Sequence, residues 1–238
     1  MTLRLAEAFD RSLEAIKWPA AVLSLLSLPV ALFAFVKLVL RCFSEPLDLL
    51  PLLAGAAVLM LAWRQFRWFA WGASKVIVWE HELTHAIFAW LTGHKVLRQE
   101  WLNEDGGKIE FVGRGNWLIT VAPYFFPTSA FLLLVPALLM PFNFLPWSQL
   151  ALGVALGFHL VSTYIETHRD QSDLKKLGWI FCWLFLPTAN VIAVALLIAY
   201  AQSGLQGMGE YFADGWDLLK WLRSTYLPGL TWLPGSPE

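Results

Sequence analysis

The feature that most constrains this chain is a series of apolar segments, each about as long as a helix that crosses a lipid bilayer. A bilayer core of about 30 Å needs about 20 apolar residues in a helix. About six segments meet this condition: 18–40, 46–63, 68–92, 116–140, 147–165 and 178–201. Hydrophobic residues make up 58% of the 238 residues and charged residues only 15%, whereas a soluble domain has about a quarter charged residues. These patterns predict an all-α polytopic membrane protein.

One segment is instead typical of β structure. Residues 93–116, after the third predicted span, contain the runs KVLRQEWL and KIEFVG on either side of the sequence NEDGG, which places the two strands within 94–112. Asp105-Gly106 and Gly106-Gly107 are dipeptides that permit the tight turn between two strands. The sequence therefore predicts a short β-hairpin after the third transmembrane helix.

The rest of the chain predicts a single integral membrane domain over residues 1–238. Residues 1–17 have mixed charge and an apolar residue roughly once per helical turn, which predicts an amphipathic N-terminal segment. The predicted transmembrane bundle with its hairpin covers 18–201, and residues 207–227 have the pattern of an amphipathic C-terminal helix. We find no linker or separate soluble domain in the pattern.

The third predicted span carries a group of ionisable residues. Residues 81–85 read His-Glu-Leu-Thr-His, an H-E-x-x-H pattern on a predicted helix. Since residues four apart lie on one helix face, His81 and His85 can bind the same metal ion. Glu82 lies beside this pair, where its carboxylate can take a proton from a water at the metal. Zn²⁺ suits such a site because it accepts nitrogen and oxygen ligands and leaves a position for water.

The alternative interpretation of the same residues is a buried hydrogen-bond network that only joins helices. Ionisable groups inside a membrane span are costly and rare, so each is a candidate for function. Glu80 points away from the histidine pair on a helix, and we expect it to pair with a neighbouring group.

A catalytic zinc ion needs a third protein ligand. The candidates lie in the polar part of residues 158–179: His159, Glu166, His168, Asp170 and Asp173. Their spacing does not choose among them. Because His85 lies about 10 Å below the end of its predicted span, a ligand from the 166–177 loop requires that loop to dip into the membrane.

Three features together resemble the site-2 protease class of intramembrane zinc metalloproteases. They are the HELTH helix in an apolar span, the β segment after it, and the sequence RDQSDLKKLGWIFCWLF before the last span. The likeness is greatest to the compact branch of the class, which lacks a PDZ domain and carries a Ser-Asp pair ahead of its last span. Here that pair is Ser172-Asp173, so the resemblance implies Asp173 as the third ligand, with His159 and Asp170 as alternatives. It also implies Glu82 as the general base.

The resemblance implies hydrolysis of peptide bonds within or near the transmembrane segments of membrane-protein substrates. We expect a multi-pass protein of the cell membrane whose partners are the bilayer and the substrate; a regulatory membrane partner or an oligomer stays open. The net charge of −1 offers no basic surface for nucleic acid.

Two other function classes stay open, a non-proteolytic metal-binding scaffold and a transporter that uses His and Glu as a relay. The hairpin has two interpretations as well. Its exposed edge can bind an extended substrate segment, or it can be a re-entrant structural plug.

Overall fold

The computed structural model describes residues 2–44, 46–65, 69–103, 106–139 and 146–226. Within these ranges the protein is about 85% helical. The helices are α1 (Thr2–Ser44), α2 (Leu50–Gln65), α3 (Phe69–Leu91), α4 (Trp117–Val121), α5 (Thr128–Leu139), α6 (Pro146–Glu166), α7 (Ser172–Leu177) and α8 (Trp179–Tyr226). A 3₁₀ turn, Ala122–Tyr124, follows α4.

The predicted hairpin is confirmed. Strands β1 (Val96–Asn103) and β2 (Gly106–Phe111) pair antiparallel, with Val96 opposite Phe111 and Glu100 opposite Lys108. Glu104 and Asp105, in the predicted turn, lie outside the described residues, as do the predicted span ends at residues 68 and 140.

The N-terminal amphipathic segment is continuous with the first span, since α1 runs from Thr2 to Ser44 without a break. Ala6 and Asp10 are buried, whereas Leu5 and Phe9 are 53% and 40% exposed. The buried side of this segment therefore includes a carboxylate, and part of its apolar side faces outward.

The C-terminal amphipathic segment is likewise joined to the last span. Helix α8 covers both and bends at Ser203 and Gly204, where Gly204 has φ = 63°. This is the left-handed region that glycine adopts without strain. Beyond the bend the chain folds back, so that Gly207 lies against the carbonyl oxygen of Ala199.

The predicted fourth span is a broken helix. Trp117–Tyr124 and Thr128–Pro136 meet at an angle of 87°. Pro127, between the two pieces, lacks the amide proton that would continue the helix. The break directs the ends of two short helices toward α3.

The count of six spans is not confirmed. In the described residues three helices have the length and composition to cross a membrane, Arg4–Ser44, Pro146–Glu166 and Trp179–Tyr226, and the broken pair raises the number to four. Helix α2 has only 16 residues. Helix α3 is long enough but carries Lys75, Glu80 and Glu82, charges that a simple span avoids.

Glycine residues allow a close contact between helices α2 and α6. The two helices pack side by side, and a Cβ placed on Gly153 would lie 2.0 Å from the carbonyl oxygen of Leu52. A Cβ on Gly55 would lie 2.2 Å from the carbonyl oxygen of Leu150. Such approach of two backbones is available only to glycine, and it is a common way for helices to associate in lipid.

We expect Gly153→Ala to loosen the packing of α2 on α6 and to lower the thermal midpoint of the purified protein in detergent. The added methyl group meets backbone, which cannot move aside, so overpacking of about 1–3 kcal/mol is expected. Gly209→Ala is the matched control, because Gly209 is also helical and nothing lies within 4 Å of an added Cβ. Equal midpoints in the two variants would contradict the assigned contact.

Candidate metal centre

Three side chains converge on one point between α3 and α7. His81, His85 and Asp173 each offer one ligand atom, and these atoms lie within 4.8 Å of one another. His85 Nε2 is 3.1 Å from His81 Nε2 and 3.1 Å from Asp173 Oδ2, and His81 Nε2 is 3.5 Å from the same Oδ2. A tetrahedral zinc site with bonds of about 2.0–2.1 Å separates its ligand atoms by about 3.3 Å. The three atoms therefore have the spacing of one face of such a site.

The groups behind the histidines determine where the imidazole protons lie. His85 Nδ1 is 2.8 Å from the carbonyl oxygen of Ile119, which can only accept, so Nδ1 donates and Nε2 carries a lone pair. The Glu166 carboxylate lies 3.6 Å from His81 Nδ1 and favours the same tautomer there. The two facing Nε2 atoms and a carboxylate oxygen are then all acceptors. Three converging lone pairs attract a cation.

Asp173 reaches this point because the apolar side chains of α7 are buried against the bundle. Leu174 and Leu177 are buried in an apolar cluster with Phe181, so the short helix lies on the bundle with Asp173 beside α3. Asp173 thereby brings its Oδ2 atom to the two imidazoles as the third acceptor.

The other proposed ligands lie elsewhere. His159 is 1% exposed inside α6, and its Nδ1 is 3.5 Å from Thr163 Oγ1. Asp170 is exposed and pairs with Lys175 at 3.3 Å, while His168 accepts from the Asp170 amide. Glu166 is near the site but faces the far nitrogen of His81 and accepts a hydrogen bond from Gln171. Glu166 is therefore placed to orient the imidazole of His81.

Glu82 lies between the histidines and the hairpin. Its carboxylate is within electrostatic range of His85, His81 and Asp173. Strand β2 passes directly over it, since a Cβ on Gly107 would lie 2.5 Å from Glu82 Cγ and 2.7 Å from Val78 Cγ1. Glycine at this position lets the hairpin backbone approach the carboxylate that the pattern assigns as general base.

Glu80, the fourth ionisable residue near the motif, does not face the metal-ligand candidates, as the helix geometry predicts. It is 7% exposed, and its Oε1 accepts a hydrogen bond of 2.7 Å from the amide of Ser129. Ser129 is in the first turn of α5, where amide groups lack partners within the helix. Glu80 thus ties the broken span to α3.

The structure contains a buried polar cluster that supports the site and that the sequence patterns do not predict. Asp10 of α1 accepts from Asn116 at 2.9 Å and lies 3.2 Å from His94 Nε2. Asn116 in turn caps α4 by accepting from the amide of Ile119, whose carbonyl oxygen binds His85. The only sequence signal is an Asn ahead of an apolar run, which is a common N-cap. The N-terminal segment is therefore linked to a metal-ligand candidate through two residues.

Comparison with known proteins agrees with this arrangement. Residues 52–213, more than half of the chain, match the family model described as Peptidase M50B-like. Neither a curated protein nor a solved structure matches the chain. The long apolar helices and the family match together indicate an integral membrane protein.

We expect Asp173→Ala to weaken zinc binding by about 100-fold or more, because it removes the anionic donor and leaves two imidazoles. Asp170→Ala is the matched control: it removes a carboxylate three residues away that pairs with Lys175 on the surface. The measurement is zinc bound per protein after dialysis against a graded metal buffer. Equal zinc contents in the two variants would mean that another residue completes the site.

Proposed function

Because the chain belongs to the Peptidase M50B-like, site-2 protease family, we propose that it is an intramembrane zinc metallopeptidase. Its reaction is the hydrolysis of peptide bonds within or near the transmembrane segments of other membrane proteins, in the cell membrane. The observation that carries this proposal is the convergence of three lone pairs beside Glu82, in a protein whose helices span a membrane.

The donor set fits zinc better than other metal ions. Two imidazole nitrogens and one carboxylate oxygen are ligands that Zn²⁺ accepts, and three protein ligands leave a coordination position for water or substrate. His81, His85 and Asp173 would hold the ion. When bound, zinc lowers the pKa of a coordinated water toward about 7 and polarises the scissile carbonyl group.

Glu82 moves the protons of the reaction. Its carboxylate takes a proton from the water as that water attacks the carbonyl carbon, and later delivers the proton to the nitrogen of the leaving amine. The covering strand at Gly107 limits access of bulk water to this carboxylate. Glu166 and the Ile119 carbonyl hold the two imidazoles in the tautomer that leaves Nε2 free of protons.

The hairpin offers a way to present the substrate. A peptide bond inside a helix is shielded by neighbouring side chains, so the substrate must be extended before water can reach it. An extended segment can pair with the edge of a two-stranded sheet. Since β2 runs over Glu82, a segment paired at this hairpin would have its backbone close to the general base.

We expect Glu82→Gln to retain zinc and abolish cleavage, because glutamine is nearly isosteric but cannot accept the proton. The assay is proteolysis of single-span membrane proteins in detergent or liposomes, with zinc measured in the same preparations. Glu7→Gln, at an exposed position of α1, is the control and should cleave like the wild type. Unchanged cleavage by the Glu82 variant would show that another group is the base.

We expect Gly107→Val to reduce cleavage at least tenfold while zinc content stays unchanged. The added side chain meets Glu82 and Val78, so it displaces either the strand or the carboxylate, and a displacement of about 1 Å is enough for a large loss of rate. Glu110→Val is the control on the same strand, since the Glu110 side chain is 48% exposed and pairs only with Lys108 among the described ion pairs. Equal activities of the two variants would argue against a role of this approach in catalysis.

A further inference from the structure

The hydroxyl group of Tyr124 is a buried polar atom without a hydrogen-bond partner among the described residues. Tyr124 is 0% exposed. Buried polar groups in native proteins nearly always find a partner, so an exception calls for an explanation, and a catalytic role is one of the recognised explanations.

The surroundings of Tyr124 place it at the metal centre. Its ring lies edge-on to that of His81, with centroids 5.3 Å apart and an interplanar angle of 87°. Carboxylates from three separate helices act electrostatically on its hydroxyl group: Glu82 from α3, Glu166 from α6 and Asp173 from α7. The phenol is therefore next to the residues that the proposed reaction uses.

The position of the ring is fixed from both sides. Tyr124 ends the 3₁₀ turn, and its carbonyl oxygen accepts a hydrogen bond of 3.0 Å from Asn190 of α8. Its ring packs in the apolar cluster with Leu174 and Phe181. A donor held in this way needs no reorganisation when charge develops beside it, which is the condition for effective electrostatic catalysis.

We propose that the Tyr124 hydroxyl group donates a hydrogen bond to the anionic oxygen that forms on the scissile carbonyl group, which makes Tyr124 a further catalytic residue. The inference rests on the proposed peptidase function. It assigns to this phenol a partner that exists only during the reaction, and so accounts for a hydroxyl group that has none among the described residues.

In the proposed reaction, water adds to the scissile carbonyl group and the adduct then collapses to release the amine. Water adds to the carbonyl carbon, its proton goes to Glu82, and the electron pair of the carbonyl bond moves onto the oxygen, which accepts the hydrogen bond from Tyr124. When the carbonyl bond re-forms, the bond to nitrogen breaks, and the leaving amine takes the proton from Glu82. Tyr124 keeps its own proton throughout.

The test is Tyr124→Phe, which removes one oxygen atom and leaves the ring. We expect kcat to fall about 100-fold or more, as for the loss of one oxyanion donor, with KM and zinc content unchanged. A phosphinic peptide, which imitates the tetrahedral anion, should lose affinity by a similar factor. The metal-free variant should be at least as thermostable as the metal-free wild type, because the removed hydroxyl group has no partner in the described part of the chain.

Tyr211→Phe is the matched control. Tyr211 is also buried, but its hydroxyl group donates to the carbonyl oxygen of Ala31 at 3.2 Å, in a different part of the bundle. This variant should lower the thermal midpoint and leave kcat unchanged, the reverse of the result expected for Tyr124→Phe.

Two results would overturn this inference but not the proposed function. One is a wild-type kcat in the Tyr124→Phe variant while Glu82→Gln is inactive. The other is a lowered thermal midpoint of the metal-free Tyr124→Phe variant, which would reveal a structural partner of the hydroxyl group. Absence of cleavage by the wild type on every membrane substrate would instead overturn the proposed function, and the inference with it.

Discussion

The constraint on which the site depends is the mutual arrangement of three acceptor atoms that are largely buried between α3 and α7. His81, His85 and Asp173 face each other at 3.1–3.5 Å, and the groups behind the two imidazoles keep their protons on the far nitrogens. Lone pairs that face one another in a medium of low dielectric constant repel unless a cation lies between them. The surrounding elements must therefore resist this repulsion, and much of the fold near the site consists of ties that do so.

The broken fourth span supplies several of these ties. On one side of the break, α4 presents the Ile119 carbonyl oxygen to His85; on the other, the Ser129 amide binds Glu80. Irregular backbone at membrane depth is tolerated only where its polar groups find partners in the protein. Here the carboxylate of Glu80 provides one such partner. The ionisable residues of α3 thus divide into two metal-ligand candidates, one proposed base and one group that joins the bent span to the helix.

Sequence patterns predicted the parts of this arrangement that are local. The i, i+4 spacing places His81 and His85 together, and the Asp-Gly and Gly-Gly dipeptides predict the hairpin. Asp173 lies 88 residues from His85, so spacing could not select it among five polar residues, and only the family resemblance favoured it. The Ile119 carbonyl could not be found at all, because a backbone oxygen has no residue-specific signal. The count of six spans is not confirmed, since hydropathy registers apolar runs but not a bend of 87° within one.

The N-terminal helix illustrates why an amphipathic pattern alone does not determine which side chains are buried. An amphipathic segment is expected to bury its apolar side, yet α1 buries Asp10 and exposes Leu5 and Phe9. Asp10 contacts Asn116, which caps α4, and His94, which follows α3. Lys17 donates a hydrogen bond of 3.1 Å to the carbonyl oxygen of Leu177 at the end of α7. Polar groups at helix ends need polar partners, so Asp10 and Lys17 of α1 turn inward to provide them. Leu5 and Phe9 are then left for lipid or the membrane interface, where exposure of leucine and phenylalanine is favourable.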